Sequence, residues 1–159
     1  MIMDFDLRNY EPTMKYVYND DPKEKEIIEF SQFLRNNKDS YILLYHGTST
    51  RHDILSEGLL RTNKKRRNSY QSESGYVYLS VFPSSARMFG EIAYPRDVVC
   101  VYSARVKIGE LLADKDQLRN KRLFGGFNIG NTLADSLIFG HGARIKRDLL
   151  PYELRKTTF

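Results

Sequence analysis

The segment Asp97 through Val106 (DVVCVYSARV) constrains the fold most. It concentrates Val98, Val99, Val101, Tyr102 and Val106 in ten positions without a glycine or proline, and reads as a central β-strand. Three further stretches have strand character. Tyr41-Ile42-Leu43-Leu44-Tyr45 is a short apolar run that ends at His46-Gly47-Thr48-Ser49, Gly75 to Ser80 alternates, and Ala143 to Leu149 reads as the last strand. Between them the period changes. Ile27, Ile28, Phe30, Phe33 and Leu34 fall at helical spacing behind Asp20, Asp21 and Pro22. Thr50 to Ser56 predicts a helix with Ile54 and Leu55 inward and Gly58 as its C-cap. Pro83-Ser84-Ser85 opens another helix, carrying Ala86, Phe89 and Ile92, and Thr132 to Phe139 predicts a fourth. Residues 61–75 and 119–131 are long polar or glycine-bearing loops, of the kind that is usually functional or mobile in a compact domain. The class is therefore α+β: a helical preamble over 1–40, a domain over 41–159, and one globular unit in all.

The length of 159 residues supports one real core and not two. Hydrophobic residues at 41% against 28% charged exclude a disordered or fibrous chain. No apolar run approaches the roughly 18 residues of a membrane helix. The start, MIMDFDLRNYEP, lacks the basic and apolar regions of a signal peptide. The single cysteine, Cys100, lies in VVCVY with no activating base beside it, so it reads as a buried thiol. A cytoplasmic protein without membrane contact is expected. The net charge of +5 and pI of about 9.3 lean towards an anionic partner. Five of the seven residues in RTNKKRR (61–67) are basic, either a solvated loop or a patch that contacts phosphates.

Histidine is scarce, three in the chain, and His46 and His141 stand beside glycines at strand boundaries. Such a histidine either presents its ring to a ligand or is a core residue satisfied by backbone. The succession of motifs is more telling than any one of them. A strand ending in HGT leads to a short helix, EGL, a variable loop, the strand GYVYLS, an alanine-bearing helix, another strand and LLADKDQL. Over roughly residues 41–154 this order resembles the ADP-ribosyltransferase superfamily, in particular the His-Tyr-Glu branch that includes the poly(ADP-ribose) polymerases. His46-Gly47-Thr48 matches the first motif and Tyr78 in VYLS the second. Ser85-Ala86 falls where the family has a nicotinamide-contacting serine, and DLLPYEL (148–154) looks like its closing segment.

The resemblance implies a split, bent β-sheet core with short helices, NAD as substrate, no metal, and transfer of ADP-ribose to a protein or nucleic-acid acceptor. It implies that His46 bonds the adenosine-side ribose, that the Gly47 backbone pairs with the carboxamide, and that Tyr78 stacks on the nicotinamide. Thr48, Ser80, Ser85 and Phe89 complete the binding residues, although core packing is the stronger reading of Phe89. Where the family places its glutamate, this chain has Gly140-His141, which argues against polymer elongation. His141 is the expected third catalytic residue, with Asp135 and Glu153 the nearest acids. RNA 2'-phosphotransferases share HGT and look similar through ILSEGL (54–59), but they lack GYVYLS. A non-catalytic module that binds ADP-ribose or nucleic acid is the third alternative.

Overall fold

The computed structural model describes residues 15–17, 21–61, 73–118 and 130–157. Most of RTNKKRR and of the 119–131 loop lies outside the described residues.

Helix α1 spans Glu24–Asn36, and the Glu26 carboxylate accepts the Lys23 backbone N–H at 3.2 Å to cap its start. Its apolar stripe buries Phe30 and Leu34, with Ile27 and Phe33 packed alongside, and Tyr16 stacks on Phe30 at 4.7 Å. Ile28 is off that stripe and is 52% exposed, so only part of the expected apolar set turns inward. Phe30 and Leu34 join the same core cluster as Ile42 and Leu137.

Strand β1, Tyr41–Ser49, runs on through His46-Gly47-Thr48 where the sequence predicts an end. The reason lies across the ladder: β3, Val99–Lys107, pairs with all nine β1 residues, from Tyr41↔Lys107 to Ser49↔Val99. A turn occupies residues 50–53, with Thr50 N–H donating to Val98 O at 2.9 Å, so α2 is confined to Ile54–Glu57 and does not begin at Thr50. Gly58 follows it at φ +82° as expected, and its N–H donates to Ile54 O. Strand β2 is Val77–Ser80, and α3, Pro83–Ala93, begins on its proline.

Beyond β3 come three elements absent from the sequence reading: a 3₁₀ turn at Ile108–Glu110, strand β4 at Leu111–Ala113, and helix α4 at Lys115–Leu118. Helix α5, Leu133–Phe139, is capped by Thr132, which accepts the Asp135 N–H at 3.2 Å. Strand β5 is only Gly142–Ile145. The expected continuation to Leu149 fails because Arg147 turns aside to ion pairs with Glu110 and Glu153, at 3.0 and 2.8 Å. Leu149 makes an isolated bridge to Leu59 instead. The chain then forms a 3₁₀ turn at Pro151–Glu153 and a closing strand β6, Leu154–Lys156.

The six strands make one open sheet in the order β4-β5-β2-β1-β3-β6, antiparallel at every described pairing. Ile42, Leu44, Leu79, Ala104, Val106 and Ile145 supply the main core. A smaller cluster of Tyr45, Val101 and Ala86 sits beneath α3. Cys100 is buried. Among the described residues no helix is long and apolar enough to cross a membrane.

Candidate active site

The joint between β1 and β2 positions the site. Among the described residues their register is a single pair, Tyr45↔Ser80, and a cleft of about 370 Å³ lies against the strands there. Strand β1 contributes Tyr45, His46, Gly47 and Thr48, and the β2 segment contributes Tyr76 to Ser80. Helix α3 adds Ala86 and Phe89, and Tyr94 follows it. The far rim carries Asp114, Asp116 and Gln117, with Gly140 and Gly142 at the start of β5.

His46 stitches the two strands beyond their one pair. Its Nδ1 lies 2.7 Å from the Tyr78 backbone oxygen. A carbonyl only accepts, so Nδ1 carries the hydrogen, and in the neutral ring Nε2 is then an acceptor. Gly47 is small for a reason of packing: a Cβ there would collide with the backbone oxygen of Ala86 in α3. Gly90 completes the fit, since its own Cβ would come within 2.8 Å of the Gly47 carbonyl carbon. Two glycines thus let the helix backbone rest on the strand that carries His46.

The Tyr78 ring is held from its far end. Its hydroxyl donates to Asp116 Oδ2 at 2.5 Å, and Asp116 also accepts the Glu73 N–H at 3.1 Å. Burial pushes the phenol well above its ordinary range, and the hydrogen bond to Asp116 adds to this, so Tyr78 is a neutral donor. Arg144, with its side chain 5% exposed, reaches Glu73 at 3.3 Å and Asp116 at 3.6 Å, and its guanidinium lies 4.1 Å from the Tyr76 ring centre. That is a buried cation with two carboxylates and an aromatic face, the pairing that burial of a charge demands.

Asp114 differs from Asp116. Its Oδ1 accepts the Gln117 N–H at 3.1 Å, and burial holds its carboxyl above the usual carboxylate range. On the opposite wall, His52 Nδ1 lies 3.1 Å from Thr48 Oγ1, and its ring meets Tyr94 edge-on at 5.2 Å.

Six of the expected residues, His46, Gly47, Thr48, Tyr78, Ser80 and Phe89, therefore line one cleft. Ser85 and His141 are not among the residues that line it. His141 stands at φ +52° just before β5, and its ring meets Phe82 edge-on at 4.9 Å. Asp135 accepts from Thr132 N and Oγ1 at 3.2 and 2.6 Å, so it serves the helix cap. Glu153 is bound by Arg147 and by the Leu150 N–H at 2.8 Å. Sequence reasoning missed Tyr45, His52, Tyr76, Tyr94, Asp114 and Asp116. Only Asp114 and Asp116 carried a signal, as acids in LLADKDQL at a spacing of two. Among the described residues no group of three or more His, Cys, Asp or Glu is placed to hold a metal ion. Comparison with protein-family models, curated proteins and solved structures gives no match to this chain.

Proposed function

We propose that the chain is a mono-ADP-ribosyltransferase, which cleaves NAD at the nicotinamide–ribose bond and passes ADP-ribose to a protein or nucleic-acid acceptor. The observation that carries this reading is that His46 and Tyr78, far apart in sequence, line one cleft and are tied by the 2.7 Å bond from His46 Nδ1 to the Tyr78 carbonyl. The tautomer fixed by that bond makes Nε2 an acceptor suited to a ribose hydroxyl. The Tyr78 face, with Tyr45, Tyr76, Phe89 and Tyr94 nearby, suits a planar cationic heterocycle and excludes water from a reacting glycosidic carbon. The single-pair joint between β1 and β2 is in keeping with the split sheet of that superfamily. The reading tolerates a monomeric or an assembled protein and a cytoplasmic setting.

The test is nicotinamide release from NAD by the purified protein, with labelled NAD in a lysate to reveal the acceptor. Release with label transferred to macromolecules is the expected result. Release that requires a 2'-phosphorylated RNA would replace this reading with phosphotransfer, and NAD binding without release would replace it with a binding module.

A further inference from the structure

The cleft has an imidazole and aromatic walls, but breaking a glycosidic bond leaves positive charge on the ribosyl carbon, and a low-dielectric site needs an anion beside it. The start of β5 is closed to one. A Cβ at Gly142 would meet the Leu79 backbone oxygen at 2.9 Å, and one at Gly140 would meet the Ser136 backbone oxygen at 2.9 Å. His141 between them is turned towards Phe82. The sheet brings a carboxylate to the same place from the neighbouring strand. Strand β4 pairs with β5 through Ala113↔Ala143, so Asp114 comes alongside Gly142. Ser136 joins the two, accepting the Asp114 N–H at 2.9 Å and donating to Gly142 O at 2.5 Å. Of the two acids on this rim, Asp116 takes both the Tyr78 hydroxyl and the Glu73 N–H, whereas among the described residues Asp114 takes backbone N–H groups of α4 alone, with Gln117 N–H on Oδ1.

Resting on the reading of the cleft as an ADP-ribosyltransferase site, we infer that Asp114 is the catalytic carboxylate, supplied by the end of β4 and not by β5. The carboxylate accepts a hydrogen bond from a ribose hydroxyl and places its negative charge beside the ribosyl carbon. The bond from that carbon to the nicotinamide nitrogen breaks with its electron pair going to the nitrogen, which becomes neutral. A lone pair of the acceptor forms the new bond to the carbon, and the acceptor's proton leaves to water. Nothing is oxidised or reduced.

Asp114→Asn tests this through three readouts with NAD as the probe: nicotinamide release, NAD affinity and thermal stability. Asparagine keeps the acceptor for the Gln117 N–H. Because the folded carboxyl titrates above its ordinary range, the fold bears a penalty for the charged form at neutral pH. Asp114→Asn should therefore raise Tm at pH 7, and the gain should vanish at a pH below the ordinary carboxyl range, where Asp114 is protonated folded and unfolded alike. Turnover should fall on the order of 10²-fold or more, as when a transition-state partner is lost, with NAD affinity changed little. Wild-type turnover in the variant, while the wild type releases nicotinamide, overturns the assignment of Asp114 alone. Lost turnover with a lowered Tm marks Asp114 as a support for α4 and also overturns it. No release by the wild type overturns the reading of the cleft, and this assignment with it.

Discussion

Strand β1 has two flanks, and they are built differently. Towards β3 it makes a nine-pair ladder with α3 packed over one end; towards β2 the described register is one pair, with a histidine side chain bonding to the facing carbonyl. The first flank fixes where His46 and Thr48 stand. The second leaves a cleft against β1 and β2, the strands that carry His46 and Tyr78. A strand anchored on one side and open on the other is rigid without being sealed, which is what a preorganised site requires.

The contrast breaks most readily in the core. Leu44, fully buried beneath the nine-pair flank, should lose about 2–5 kcal/mol of stability on Leu44→Ala. Urea unfolding checks this, and the fraction still folded should bind NAD with unchanged affinity. A loss well below that range would show that the long ladder is not what holds β1. The closely packed end comes next. Gly47→Ala forces a Cβ against the Ala86 backbone and should cost about 1–3 kcal/mol by the same measurement. The smallest effect belongs to the open flank and appears in binding. Tyr78→Ala should weaken NAD binding by about 1 kcal/mol, the scale of one aromatic contact, read by calorimetry or by reduced thermal protection. An unchanged affinity would show that the ring does not touch the nicotinamide.

The same contrast explains what the sequence discloses. Strand β3 is legible because Val99, Val101 and Tyr102 crowd a run long enough to declare its type, and α3 because Pro83 starts it and Ala86, Phe89 and Ile92 follow at helical spacing. Strand β4 and helix α4, three and four residues long, are too short for any period to emerge, so nothing in LLADKDQL tells where Asp114 and Asp116 stand. The end of β1 was hidden for another reason: glycine after histidine looks like a strand stop, whereas Gly47 is small to admit a helix from the side. His52 joins the cleft through the turn after β1, and no spacing in the sequence announces that.

The bridge between Leu59 and Leu149 has a bearing on how such a chain can vary. Its two reciprocal hydrogen bonds, 2.9 and 2.8 Å, together with the Arg61–Asp148 pair at 3.3 Å, moor the segment after α2 to the body of the domain. On the other side of the cleft Glu73 is moored to Asp116 and Arg144. The interval from Arg61 to Glu73 thus begins and ends at fixed posts. The entropic cost of closing a loop on two fixed posts grows slowly with its length, by about 0.6 kcal/mol for each doubling. Arg61 and Glu73 are held whatever length of chain joins them, so the sheet can keep its register where that length changes.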